Sequence, residues 1–403
     1  MKLLSIQTLH NTPEEKRIVL TCFAAACVAG ISSQTLGVVL PNLRESYQLS
    51  YELSGLLISA QSVGTMTANI VSGLLPLLLG RKRSVLALTC WLMLGAVILL
   101  LTGNPLLLMA AGFMIGLSRG GAINFGNVTV GIYGADKTRS MNLAHACFAV
   151  GALSAPFSAM FFSAIHWWKG TLAVIGILGA ILVFLYCTMP LPADQHHYVR
   201  SDTAPVPNIS SQRPYLRSRR FWTAGFILLF YIAAEYGISG WLVTYFKESG
   251  LLSGALSQFM SSLLWAAILI GRLTCATMAG KIQRHKLLIL SGAGFVTFLV
   301  LLLLSSSPFL IVVGIFGFGF FMAGIYPSTL AGVNEEIGGS DLAMSILVTM
   351  GGIGGIGMPA AIGYLSERTG ITGGMWLLVV VAAATLAMIL YNGYLQRQPS
   401  RIQ

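Results

Sequence analysis

Charge is what this chain has least of. Of its 403 residues only 9% are Asp, Glu, Lys or Arg, against about 25% in a soluble domain. A surface facing water cannot be built from so few charges, which excludes an ordinary soluble globular protein. Histidine is scarce as well, at six residues, and no HExxH pairing or CxxC spacing occurs. Metal-centred chemistry therefore has little to build on, and neither a metal nor a cofactor is expected. The six cysteines (Cys22, Cys27, Cys90, Cys147, Cys187 and Cys275) all fall in apolar stretches. They read as small core residues, not as a disulfide framework. A Gly-rich phosphate loop is also missing, and the chain is not expected to be an enzyme.

What it has is apolar length. Hydrophobic residues make up 55% of the chain, in runs of about 18 or more that can each cross a hydrocarbon core of roughly 30 Å. Twelve such runs are expected: 17–40, 52–79, 84–102, 105–133, 138–165, 169–189, 221–247, 253–279, 286–305, 308–333, 341–367 and 371–395. The gaps at 103–104 and 368–370 are short enough for tight turns between antiparallel spans. The first run is long and preceded by charges of both signs, so it is expected to be a span and not a cleaved signal.

The net charge of +11 is explained by topology, and no nucleic-acid partner is expected. With the N-terminus placed in the cytoplasm, inside segments hold 18 basic residues and outside segments four. That asymmetry is the positive-inside bias, and it predicts cytoplasmic termini. The stretch 190–220, with five prolines and five arginines, reads as a solvated cytoplasmic linker. Residues 1–189 and 221–403 would then be two six-helix bundles.

The halves echo each other. "FAVGALSAP" ending at Pro156 and "GGIGGIGMP" ending at Pro359 both place a glycine five residues before proline, at Gly151 and Gly354. "GRKR" after the second span matches "GKIQRHK" after the eighth. Such repetition predicts a pseudo-two-fold axis along the membrane normal, with a cavity at the interface. The 45 glycines, many mid-helix, fit close helix approach in lipid.

At this level almost the whole chain resembles the major facilitator superfamily. "FYIAAEYGISGWLVTYF", "LLWAAILIGRL", "FFMAGIYPSTLAG" and "MNLAHACFAVGALSAPF" are similar to its fucose permease and glucose–proton symporter branch. "GLLPLLLGRKR" is similar to the superfamily's loop signature, with Leu77 where that signature carries Asp; Ile123 and Asn124 stand where sugar symporters of the branch carry an acid. The resemblance implies an all-α polytopic protein of twelve transmembrane helices with spans one, four, seven and ten around a cavity. It also implies alternating access for a small solute, a sugar or polyol, coupled to H⁺ or Na⁺.

Polar side chains at membrane depth are costly and therefore informative. Glu235 is the one acid well inside a span, with no charged neighbour within ten residues. It is expected either to carry the coupling proton or to serve as a hydrogen-bonded strut. Arg119, midway along the fourth span, is expected to meet Glu235 across the cavity or to satisfy carbonyls of the Gly-rich "SRGGAINFGN". Arg272, within about two turns of the end of its span, reads as an interface anchor ahead of a solute contact. Gln34, Gln61, Asn124, Asn127, Asn142 and His145 offer neutral donors and acceptors to a polyhydroxylated solute, or bonds between helices. Tyr231 and Ser239 extend the polar stripe of Glu235, four residues to either side. Trp241, Trp265 and Tyr326 are candidates to stack on a sugar ring, or to pack against neighbouring helices and lipid.

The expectation is a monomeric, multi-pass secondary transporter in a bacterial-type inner membrane. The alternatives are a proton-coupled drug or metabolite exporter and a transporter-derived nutrient sensor. The exporter ranks second because Ala155 precedes Pro156 and Phe157 follows it, where exporters carry a Gly-Pro pair followed by further glycine.

Overall fold

The structure is a computed structural model of the chain and describes residues 12–134, 137–191, 214–278, 281–337 and 341–397. At a few helical positions, Asn142 among them, the side chain lies outside the described residues. In chain order the α-helices are α1 (Pro13–Tyr47), α2 (Tyr51–Leu79), α3 (Arg81–Leu101), α4 (Pro105–Tyr133), α5 (Lys137–Ala164) and α6 (Gly170–Thr188). Then come α7 (Arg219–Glu248), α8 (Gly254–Met278), α9 (Arg284–Leu304), α10 (Pro308–Met322), α11 (Ile325–Ile337) and α12 (Asp341–Arg397).

The helix starts follow from local chemistry. Thr12 and Glu15 close a reciprocal capping box at α1, and Ser50, Asn104 and Ser218 cap α2, α4 and α7. Each side-chain oxygen satisfies a backbone N–H that the first turn leaves open. Pro13, Pro105 and Pro308 sit in first turns, where a missing N–H costs nothing.

Helix number and membrane pass number differ at two places. α10 and α11 are one crossing interrupted at Ala323 and Gly324. α12, with 57 residues, would be about 85 Å long if straight, far beyond a bilayer. It breaks at Gly370, whose φ of 76° lies in the region glycine adopts freely. Beyond the break Gly374 packs against Ile362 and Ser366, which a straight helix would hold about 12–18 Å away. The chain has reversed there, and its second arm returns along α9, with Leu386 and Ile389 against Gly292. Twelve passes result, as expected, and this is a multi-pass membrane protein of all-α class.

The outer surface is apolar: Leu78, Leu101, Phe184, Leu273, Phe309 and Val380 are exposed. Many polar groups are instead turned inward. Hydroxyls of Thr21, Thr35, Thr89 and Thr385 donate to the carbonyl four residues back, the local solution for a hydroxyl in an apolar helix.

Close packing depends on glycines that recur at matching places. A Cβ on Gly151 of α5 would strike the Cys27 carbonyl of α1; one on Gly354 of α12 would strike the Leu229 carbonyl of α7. Likewise Gly116 of α4 lies on α2 at Gln61, and Gly319 of α10 on α8 at Leu264. The same small-residue crossings thus occur in α1–α6 and in α7–α12, and they bring backbones near enough for dense packing without a hydrophobic driving force.

α1–α6 meet α7–α12 chiefly through α1 with α7, α2 with α12 and α5 with α8. One end of this seam, where α1 passes to α2, is tightly held. Arg44 Nε donates to Glu248 Oε1 at 2.9 Å, the Tyr51 hydroxyl donates to Glu248 Oε2 at 2.5 Å, and Lys247 Nζ donates to Glu45 Oε2 at 2.9 Å. The Tyr51 N–H donates to Glu367 Oε2 at 2.8 Å. Deeper, Ser59 donates to the Ile356 carbonyl and Ser262 to the Leu153 carbonyl.

Of the linker expected at 190–220, residues 192–213 lie outside the described residues. Its last part is not solvated chain: residues 214–217 form a short 3-10 turn, Tyr215 is buried against Phe221, and α7 already begins at Arg219. The aromatic contact outweighs the polar composition there.

Candidate functional site: a charged cavity between the halves

α7 is apolar around most of its circumference, and Glu235 lies midway along it, half-buried. The residue opens onto a cavity of ≈ 80 Å³ at the seam between the halves. Ser33, Gln34 and Gly37 of α1, Ile58, Gln61 and Ser62 of α2, Arg119 of α4 and Phe148 of α5 form one wall. Glu235, Tyr236, Ser239 and Gly240 of α7 with Trp265 and Arg272 of α8 form the other. A second cavity, ≈ 220 Å³, extends away from the tightly held end, between Asn69 and Ile70 on one side and Val348, Thr349 and Gly352 on the other.

Arg119 is only 7% exposed. Its Nε and Nη2 donate to Thr65 Oγ1 at 3.2 and 2.7 Å, and Nη2 also donates to the Tyr236 hydroxyl at 3.1 Å. Thr65 in turn donates to the carbonyls of Gln61 and Gly116. The guanidinium is thus fixed by side chains of α2 and α7, not by the carbonyls of its own Gly-rich helix. Arg119 and Glu235 line the same cavity, but no ion pair within 4.0 Å joins Glu235 to a cation among the described residues.

Arg272 departs from the expectation. It lines this cavity, within electrostatic reach of Tyr231, Tyr326 and His145, instead of anchoring the helix at the interface. Nearness to the end of α8 misleads because the helix is rotated to turn this face toward α5 and α7.

The neutral candidates divide. Gln34 and Gln61 are buried on the cavity wall; Gln61 Nε2 donates to the Ser32 carbonyl and Gln34 Nε2 to Ser33 Oγ, which leaves Gln34 Oε1 without a partner. Ser239 lines the cavity too. Asn124 does not: it donates to Asn69 and Ser72 on α2, a bond between helices. Asn127 is half-buried on α4 and His145 exposed on α5, and neither lines these two cavities. The side chain of Asn142 lies outside the described residues.

The aromatic candidates divide in the same way. Trp265 is on the cavity wall against Phe148, with its Nε1 lacking a hydrogen-bond partner. Trp241 is fully buried, donates to the Pro359 carbonyl at 3.1 Å and packs on Tyr51. It braces the α7–α12 crossing and offers no free ring face as a stacking platform, since the ring is fully buried. Tyr231 is fully buried on Tyr326; its hydroxyl lies within electrostatic reach of Glu235 and makes no hydrogen bond of ordinary geometry. Tyr326 lines the second cavity.

Sequence reasoning missed Thr65 and Tyr236, the two partners of Arg119. Tyr236 adjoins the lone acid and was within reach on that ground; a threonine in an apolar helix carries no such signal.

Twelve passes meeting at a seam, with a polar cavity at mid-depth, define an integral-membrane transport protein. The Major Facilitator Superfamily matches residues 22–340, and the chain belongs to that superfamily of secondary transporters. It is similar to Bypass of stop codon protein 6 of Saccharomyces cerevisiae, at 23% identity over 96% of this chain and 84% of that one. It is also similar to the Cis,cis-muconate transport protein of Acinetobacter baylyi, at 25% identity over 90% of each. A solved bacterial homologue of the human lysosomal transporter Spinster, inward-facing and unoccupied, superposes with TM-score 0.76 at 12% identity over 97% of this chain and 100% of that one. The Escherichia coli fucose:proton symporter shares the fold, with TM-score 0.60 at 17% identity over 93% and 98%.

Proposed function

We propose that this chain is a proton-coupled secondary transporter of a small polar solute, working by alternating access. The observation that carries the reading is Glu235, among the described residues the single carboxylate on a cavity lined by both halves and by two guanidinium groups. A carboxyl group in such a place exchanges its proton with whichever side the cavity faces. Its charge also bears directly on Arg119, Arg272 and any bound solute, and that is what couples proton to cargo. Tyr231, Tyr236 and Tyr326 complete the set of titratable groups around it.

The division into 1–189 and 221–403 supplies the two bodies that rock, with the linker between them. The basic-residue bias supports cytoplasmic termini, in a bacterial-type inner membrane. On that orientation the tightly held end is the outer one, and the larger cavity leads inward. The neutral groups Gln34, Gln61 and Ser239 suit a sugar or polyol, the class the fucose-permease resemblance implies. The bacterial relative is named for cis,cis-muconate, an organic acid, which extends the candidates to anions.

The test is transport itself. Purified protein in proteoliposomes, given an inward proton gradient, is expected to accumulate at least one of xylose, fucose or cis,cis-muconate above its outside concentration. Saturable binding without movement of any of them would fit a sensor and remove the transporter reading.

A further inference from the structure

The central cavity has an excess of positive charge. Arg119 and Arg272 both line it against one carboxylate, Glu235, and an arginine keeps its charge at every physiological pH. One positive charge therefore stays uncompensated with Glu235 ionised, and two with it protonated. Neither cation is ion-paired among the described residues: Arg119 has only the neutral partners Thr65 and Tyr236, and Arg272 makes no hydrogen bond or ion pair to a described residue. His145 of α5, in reach of Arg272, is a further basic group nearby. A charge held away from water without a counter-ion is costly, so a lining of this kind is made to receive an anion.

The remaining groups narrow the class. The Nε and Nη2 edge of Arg119 is occupied by Thr65 and Tyr236, which leaves Nη1 for a ligand. The indole N–H of Trp265 is a third open donor, buried on the same wall without a partner. Convergent planar donors match the two oxygens of a carboxylate. Around them Ile58, Phe148 and the Trp265 ring offer apolar surface, which suits a carbon skeleton better than a bare inorganic ion. A neutral sugar would fill the hydrogen bonds but leave the charge uncompensated. The ≈ 80 Å³ of space corresponds to about five to eight water positions at roughly 10–15 Å³ each, so the ligand is small.

We propose that the solute is a small organic carboxylate, with its anionic end between Arg119 and Arg272 and its carbon skeleton against Phe148, Ile58 and Trp265. This rests on the transporter reading for the word solute, but not for the binding site.

Titration calorimetry on the purified full chain, at constant ionic strength, tests it with benzoate and succinate against benzamide and succinamide, and with xylose and inorganic phosphate. At least one acid is expected to bind tenfold or more tightly than its amide. Arg272→Gln is expected to lose that tenfold difference and Arg272→Lys to recover part of it. Equal affinity for acid and amide, tighter binding of xylose or phosphate, or no binding of either acid overturns the proposal. The acid–amide comparison needs no variant, so a poorly folding Arg272→Gln does not blunt it. An acid that binds but is never moved in proteoliposomes removes the transporter reading and keeps the anion site. Movement of xylose without acid binding does the reverse.

Discussion

Arg119 of α4 donates to the hydroxyl of Tyr236, 3.1 Å away on α7, so the buried cation of one half is tied to the residue beside the half-buried acid of the other. This bond lies mid-seam, deeper than the ion pairs at the tightly held end. It is a neutral-acceptor bond, which can break without stranding a second charge, and that suits a link that must open in every cycle.

Removing that link should slow the cycle without unfolding the protein. Tyr236→Phe deletes a hydrogen bond to a charged group, worth about 1.5–3 kcal/mol, and is expected to cut solute exchange in proteoliposomes by about tenfold or more. Arg119→Ala, which also removes the charge, should abolish it. Exchange at the parental rate in Tyr236→Phe would show the bond to be incidental.

Glu235→Gln keeps size and hydrogen bonding while removing titration. The variant is expected to bind solute and to exchange labelled for unlabelled solute, since exchange requires no net proton movement. It should fail to accumulate solute under a pH gradient, and its exchange should lose the pH dependence of the parent. Accumulation against a gradient by this variant would make Glu235 a strut and place coupling elsewhere.

Glu248 receives both Arg44 and Tyr51 across the seam, so Glu248→Ala cuts two bonds at once. The partly exposed Arg44 ion pair contributes about 0.2–1 kcal/mol and the Tyr51 hydrogen bond adds to it, so the state open at this end should become several-fold more populated. In a cysteine-free background, Ser239→Cys on the cavity wall should react faster with an impermeant thiol reagent added from that side. An unchanged labelling rate would mean that the clamp does not hold the seam.

The crossing glycines should differ sharply in tolerance. A methyl on Gly354 meets the Leu229 carbonyl, whereas one on Gly357 meets open space. Gly354→Ala is expected to lose about 1–3 kcal/mol to overpacking and to unfold at lower temperature in detergent. Gly357→Ala, one turn on, should be neutral or stabilised by up to about 1 kcal/mol of helix propensity. Equal melting temperatures would contradict the close crossing.

Much of the architecture was legible in one dimension. The span expected at 105–133 is α4, Pro105–Tyr133, and the turn expected at 368–370 is the break at Gly370. Glu235 and Arg119 stood out because an ion deep in an apolar helix is rare for energetic reasons. Arg272 and Trp241 were less legible: the first reads chiefly as an anchor and lines the cavity, and for the second, open between stacking and packing, the structure shows packing and a bond to Pro359.

The reason lies in what each level encodes. Where a helix enters and leaves the bilayer depends on the transfer energy of consecutive residues, and the sequence states this directly, together with the lone acid and the deep Arg119. Which face each helix turns inward depends on its rotation and tilt, which hydropathy leaves open and packing against neighbours decides. The crossings at Gly151, Gly354, Gly116 and Gly319 set that rotation here. Only through them do Thr65 and Tyr236 come to hold Arg119, Arg272 come to face Glu235, and Glu248 come to close one end of the seam.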